Sequence, residues 1–486
     1  MTTSADQSIE HTRPAPKLAS RVADQMIQEI VRDGWPVDSV LGSESELLER
    51  YEISRAVFRE SVRLLEHLGV ATTRRGPGGG LVVAAPSTAP VVQSFLVYLT
   101  HSAMSLGDLF EARQSLEGSI ARLAAERADE SQIAALRAQV AADHERDTSG
   151  DDHVHDATAH HALHTMVAAA ARNPAAELFV EVLGRLTARY SYDPSLGPEE
   201  RRTTNEASNR AHAAIVDAIT AGDSALAERR MGMHLDALAD WLGRHRVPPR
   251  SLDWVLDDAE GYNGGEKLGS RVARSIIVDI VDRDWPIGEV IGSETELINR
   301  YDVSRSALRE AIRLLEYHEV AVMKRGPGGG LVVTVPSIDP IVRTATVFLQ
   351  HRGISAGDLI AIRRDLETDA VAYAVERCTP ADVEGLRRTL ITDAEAGFES
   401  PVHEDLHVRI AELTGNAAIS LFLRVTVELT RLHASFPGRR SRRRVAINAE
   451  ADRAHTAIVE AIADRDAPLA RRRMGKHLAA MQPLLR

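Results

Sequence analysis

Apolar residues at Val22, Met26, Ile27, Ile30 and Val31 recur at helical spacing near the start of the chain. Gly34, Pro36 and Gly42 then interrupt the pattern. Ser43, with Glu46 three residues on, is a capping-box signature and opens a short helix through Arg50. After a turn at 51–53, Ser54 is placed to cap a third helix from Arg55 to His67. Its apolar set is Val57, Val62, Leu64, Leu65 and Leu68. Short alternating runs at 70–72 and 81–83 predict a β-hairpin around the basic, glycine-rich tip RRGPGGG, residues 74–80. From 87 to about 243 the periodicity is helical, broken at 105–107, 173–174 and 193–198. The succession predicts a winged helix-turn-helix followed by an antiparallel helical bundle.

The whole pattern then occurs again. KLASRVADQMIQEIVRDGWP begins at Lys17 and KLGSRVARSIIVDIVDRDWP at Lys267, an offset of 250 residues that persists through Asp108/Asp358, Arg113/Arg363 and Glu117/Glu367. Further on, AHAAIVDAI pairs with AHTAIVEAI and RRMGMHL with RRMGKHL at an offset of 243. The difference falls between about 143 and 160, a polar stretch where a loop tolerates length changes. The repeat is far longer than a solenoid unit, so it implies two joined two-part units. The expected layout is a disordered tail at 1–16, a first head at 17–85, a first bundle at 86–242, a linker at 243–266, a second head at 267–335 and a second bundle at 336–486. The fold class is mainly α.

Composition narrows the setting. The 486 residues are 44% hydrophobic and 26% charged, with one cysteine, Cys378, so no disulfide forms within the chain. No apolar run is long enough for a membrane span, and the N-terminus lacks a secretory core. A reducing cytoplasm is the expected location. The net charge of −12 disfavours a protein coated in nucleic acid but leaves room for local basic surfaces.

Such surfaces are present in both heads. Arg55, Arg59 and Arg63 recur every four residues behind the cap Ser54, and Arg74, Arg75 and Gly78 lie in the hairpin tip. The second copy has Ser304, Arg305, Arg309 and Arg313, then Lys324, Arg325 and Gly328. A lone arginine row is ordinarily a solvated helix face, and a lone glycine-rich turn is ordinarily a surface loop. Their combination, twice, points to a recognition helix in a major groove with a wing beside it. Here the chain resembles the GntR family of bacterial transcription regulators, on ESELLERYEISRAVFRESVRLLEHLGV, ETELINRYDVSRSALREAIRLLEYHEV and the wing. Gly42 and Gly292 stand where that family usually has proline. The segments DLFEARQSLE, HHALHTMVAAAARNP, AHAAIVDAI and RRMGMHL resemble the FCD effector-binding domain of the family's FadR-type branch.

Histidines carry the candidate chemistry. His160, His164, His212 and His234 recur as His403, His407, His455 and His477, whereas His161 does not recur. Four converging imidazoles suit a divalent transition ion, zinc first, with nickel or another also suited. The alternative is a set of unrelated polar or core histidines. The resemblance implies metal ligands at His164, His212 and His234, with His160 and His403 where aspartate is usual. HEDLH at 403–407 matches a zinc-protease spacing, but its counterpart HHALH has no glutamate, so a catalytic base is not expected there. Arg113 and Arg363 either fork an effector carboxylate or pair internally with Glu117 and Glu367 at i+4.

The combined expectation is a non-enzymatic transcription regulator, a repressor of double-stranded operator DNA. A small carboxylate at the metal site would tune it. One chain would act as an intramolecular pseudo-dimer, with further homodimerisation open. A metal-sensing regulator and a metal-dependent enzyme bearing DNA-binding heads are the competing readings.

Overall fold

A computed structural model describes residues 18–76, 78–149, 157–190, 197–245, 252, 268–326, 328–396, 405–433 and 442–485. Twenty helices and two three-stranded sheets are found among them. The chain divides into two compact units at Ser87/Thr88.

The first unit is one head. Helix α1 (Leu18–Arg32) buries Val22, Met26, Ile27 and Ile30. Strand β1 (Val40–Gly42) precedes α2 (Glu44–Arg50), and both arms of the Ser43/Glu46 capping box are made. Ser54 caps α3 (Arg55–His67) by accepting from the Val57 amide at 3.3 Å. The pair α2/α3 therefore has the ends that its caps predict. Buried Ser61 on α3 donates to the Ala19 carbonyl at 2.9 Å and fixes α3 on α1. Strands β2 (Ala71–Arg74) and β3 (Gly80–Val83) form the wing, with Arg74 opposite Gly80. The sequence reading missed β1, which pairs with β3 to give the order β1-β3-β2. Its three residues are too few to show a period of two, and its partner lies about forty residues away. Gly80 is required by that pairing, because a Cβ there would meet the Gly42 carbonyl oxygen at 2.4 Å.

The second unit opens with the first bundle. It comprises α4 (Thr88–His101), α5 (Leu106–Arg127), α6 (Glu130–Ser149), α7 (Ala157–Ala170), α8 (Pro174–Ala188), α9 (Pro198–Thr220) and α10 (Ser224–His245). The long α5 is central and packs chiefly on α10. The second head follows as α11 (Leu268–Val281), β4 (Val290–Gly292), α12 (Glu294–Tyr301), α13 (Arg305–Tyr317), β5 (Ala321–Lys324) and β6 (Gly330–Val333). The second bundle is α14 (Asp339–His351), α15 (Ala356–Arg377), α16 (Pro380–Ala396), α17 (Asp405–Glu412), α18 (Ala417–His433), α19 (Arg442–Ala463) and α20 (Ala467–Met481).

The two bundles dock through corresponding surfaces. Phe179 of α8 stacks on its counterpart Phe422 of α18, with ring centroids 4.1 Å apart. Asn173 caps α8 through its carbonyl oxygen and donates its amide to the Asp358 carbonyl at 3.0 Å. Asn416 caps α18 in the same way and donates to the Asp108 carbonyl at 2.7 Å. Each asparagine thus satisfies orphan amides of its own helix and bonds the other bundle. This exchange of equal contacts is the pattern of an isologous interface, made here within one chain.

Candidate metal centres and nucleic-acid interface

In the first head, Ser54, Arg55, Arg59 and Arg63 are exposed on α3. Arg55 lies 4.0 Å from Glu44 and Arg63 lies 3.2 Å from Glu60. In the second, Ser304 caps α13 through the Ala307 amide, and Arg305 and Arg309 lie 3.5 and 3.3 Å from Glu294. Arg313 is exposed on the same helix. Exposed pairs of this kind contribute about 0–1 kcal/mol each, so an incoming phosphate can replace the glutamate at little cost. In the wings, Arg74 donates to the Gly78 carbonyl at 3.2 Å, and Arg75, Lys324 and Arg325 are exposed. Gly78 and Gly328 have φ of +71° and +76°, the left-handed region that glycine enters without strain.

In the first bundle, α7, α9 and α10 bring His164, His212 and His234 together, all at most 5% exposed. The Nε2 atoms of His164 and His212 lie 3.2 and 3.3 Å from that of His234. In the second, the His477 Nε2 lies 3.1 Å from that of His455 and 3.3 Å from that of His407. Nitrogens held about 2.0–2.1 Å from one tetrahedral ion stand roughly 3.3 Å apart, so both triads have the spacing that such an ion requires.

The groups behind each triad fit the same role. Glu117 on α5 accepts from His164 Nδ1 at 2.5 Å, and Glu367 on α15 accepts from His407 Nδ1. An ionised carboxylate only accepts, so the ring proton sits on Nδ1 and Nε2 keeps its lone pair for the triad. Burial lowers the proton affinity of His164, with Glu117 partly opposing it. Burial and the neighbouring imidazoles push His212 well below 6.5. Both effects favour the neutral imidazole, the form that ligates a metal. Burial opposes charge on Glu367, but Arg363 and His407 outweigh it and hold the carboxyl at about 2. Arg113 and His164 likewise hold Glu117 well below the usual carboxylate range against the effect of burial.

Of the two roles left open for Arg113 and Arg363, the internal pair is formed. Arg113 donates from Nε to Glu117 at 2.5 Å and from Nη2 to the other carboxylate oxygen at 3.3 Å, while Nη1 donates to Thr187 at 3.1 Å. Arg363 Nε donates to Glu367 at 2.6 Å. Sequence reasoning named Glu117 only as an arginine partner and missed its bond to His164. The available signal was its recurrence as Glu367.

His160 lies in α7, but its side chain is outside the described residues, as are the whole of His403 and Glu404. His161, which does not recur, points elsewhere, its Nε2 3.1 Å from Glu181. His101 packs against Trp285 of the second head with ring centroids 4.6 Å apart, not in a triad.

A profile described as FCD domain matches residues 108–237 and 358–480, and one described as bacterial regulatory proteins, gntR family, matches 268–332. The HTH-type transcriptional repressor NanR of Citrobacter rodentium is 28% identical over 222 residues, 44% of this chain and 83% of that protein. The uncharacterised HTH-type transcriptional regulator YcbG of Bacillus subtilis is 28% identical over 223 residues, 46% of this chain and 89% of its own. Among solved structures, a GntR protein of Streptococcus agalactiae aligns at 22% identity with a TM-score of 0.33, covering 46% of this chain and 99% of that one. The described residues contain no helix long and apolar enough to cross a membrane. The chain belongs to the GntR family of DNA-binding bacterial transcription regulators and carries an FCD domain twice.

Proposed function

We propose that this chain is a repressor whose two heads read the two half-sites of one operator, and whose grip is set by a small organic acid at the histidine centres. The observation that carries the reading is the convergence of three Nε2 atoms in each bundle, one of them on an imidazole whose Nδ1 is held by a glutamate paired with an arginine. Nε2 atoms 3.1–3.3 Å apart stand at the separation of ligands around one tetrahedral ion, and such an ion would take a lone pair from each neutral ring. His164, His212 and His234 would hold a divalent ion in the first bundle, and His407, His455 and His477 in the second. When bound, the ion supplies a Lewis-acidic positive centre, with zinc as the first candidate. Because Arg113 neutralises Glu117, that positive charge is not cancelled by the groups behind it, and the centre favours an anionic effector. Arg113 and Arg363 act on the effector through Glu117 and Glu367 rather than by forking its carboxylate.

Ser54, Arg55, Arg59 and Arg63 with Arg74, Arg75 and Gly78 would contact one half-site. Ser304, Arg305, Arg309 and Arg313 with Lys324, Arg325 and Gly328 would contact the other. The heads differ at Ala56-Val57-Phe58 against Ser306-Ala307-Leu308, so the operator is an imperfect palindrome. The test is metal analysis of purified protein, then selection of bound genomic fragments with and without candidate acids. Two ions per chain are expected, with one of the acids weakening a selective complex. His164→Ala with His407→Ala should lower the metal content and abolish the acid response while basal operator recognition remains. If chelation alone releases the operator and no acid does, the chain is a metal sensor instead. Selective binding that ignores both metal and acids would refute the effector reading.

A further inference from the structure

The first histidine centre is bonded, step by step, to the end of α8. His164 Nδ1 donates to Glu117, Glu117 is paired with Arg113, and Arg113 Nη1 donates to the Thr187 hydroxyl at 3.1 Å. Thr187 in turn donates to the Leu183 carbonyl at 2.8 Å, which fixes it on its own helix. Just beyond it, Arg189 closes α8 as the C-cap. Its Nη1 donates to the Thr100 hydroxyl, 2.9 Å away in the last turn of α4. The next residue of α4 is His101, whose ring lies against Trp285 of the second head. Helix α11 of that head packs on α4 as well. Trp285 Nε1 donates to the Thr334 carbonyl at 2.9 Å, and the Thr334 amide donates to the Val320 carbonyl. Thr334 directly follows β6, a strand of the wing that carries Lys324, Arg325 and Gly328. The turn that presents Trp285 is held by its contacts, because Asp284 and Trp285 have φ of +57° and +50°, a region that residues with side chains enter at a cost. The first head has Gly34 in place of Asp284. The connection is also one-sided. In the second bundle Leu432 stands in place of Arg189 and Gln350 in place of Thr100, so that bond cannot be repeated there.

We propose that occupancy of the first histidine centre sets the wing of the second head through this connection, so that the bundle of one unit governs the reading head of the other. The proposal rests on the ligand-binding role given to that centre above. An ion on Nε2 fixes the His164 ring, and with it the carboxylate on Nδ1. Arg113, Thr187 and Arg189 are all buried. Groups packed at interior density shift together rather than singly, and a buried guanidinium does not exchange its partner for water freely. Arg189 therefore passes a displacement of the α8 end to the end of α4, and the His101 ring passes it to the turn that is bonded to the wing. The second centre lacks the Arg189 link, so the two centres are unequal switches.

The test is hydrogen–deuterium exchange on the full chain carrying His407→Ala, which leaves the first triad intact. Loading that triad with zinc should slow exchange in the segment 282–288 by about fivefold or more, the lower range of coupling between distant sites. Arg189→Leu and, separately, Thr100→Val should leave zinc affinity unchanged and abolish the slowing. Unaltered exchange at 282–288 with zinc bound would overturn the proposal, as would slowing that survives either substitution. A chain that takes up no zinc would refute the metal reading of the proposed function instead, and the coupling is then decided on the metal-free protein. There Thr187→Val, which removes the acceptor of Arg113 and keeps the side-chain shape, should speed exchange at 282–288. It should have no such effect once Arg189→Leu is present. An equal effect in both backgrounds, or none in either, would overturn the proposal.

Discussion

Glu117 is a single carboxylate bonded to two residues that a sequence reading keeps apart, Arg113 four residues before it and His164 forty-seven residues after. Glu117→Gln keeps the shape but removes the charge that fixes the imidazole, so affinity for zinc in that bundle should fall about 10–100-fold in a chelator competition. An unchanged affinity would mean that His164 is not held for ligation. The same substitution leaves Arg113 buried without its counter-charge, and broken buried pairs cost roughly 3–5 kcal/mol. The titration must therefore be run where melting shows the variant folded. Asp365 is a second residue with a measurable signature. Burial pushes its carboxyl up to about 7, against smaller opposing effects of Ser119, Arg122 and Arg364, with Asp369 adding to the rise. Because the folded form keeps the proton, the unfolded chain ionises first as pH rises from about 4. Folding stability is therefore lost progressively up to about pH 7 and then levels off. Asp365→Asn should remove that slope, leaving the chain more stable than the parent at pH 8 and little changed at pH 4. Parallel melting curves at both pH values would contradict this. The histidine triads were legible because duplication kept them and dropped His161. The Glu117–His164 bond was not, since nothing local ties α5 to α7 across the intervening α6.

The helix-turn-helix shows what local chemistry can specify. Ser43, Ser54, Ser293 and Ser304 each cap a helix, because a hydroxyl beside the first free amides stabilises that end wherever the helix later packs. Strands β1 and β4 escaped detection for the opposite reason: each is three residues long and exists only by pairing with a distant strand. The exposed row on α3 gives the prediction at this scale. Arg59→Ala should weaken binding to selected DNA and, if Arg59 meets a phosphate, reduce the slope of log affinity against log salt by about 1. Arg309→Ala should do the same for the second head. A variant that binds selected and random fragments with parent affinity at every salt concentration would remove that helix from the interface.

At the scale of the molecule, the repeat was plain in the sequence, whereas the way its copies dock was not. Phe95/Ala345 looks like ordinary drift until Phe95 of α4 is seen beside the stacked rings of Phe179 and Phe422. Asn173 appeared only in the helix break at 173–174 and Asn416 was not singled out, because their bonds to Asp358 and Asp108 depend on the docked bundles. The central claim is that one 53.0 kDa chain supplies both reading heads for one operator. The most direct test is the native mass of the protein on a DNA fragment recovered by genomic selection and trimmed to its protected footprint. One chain per two half-sites is the predicted result. Two chains on that footprint, or no preference for any fragment over random competitor DNA, would contradict it.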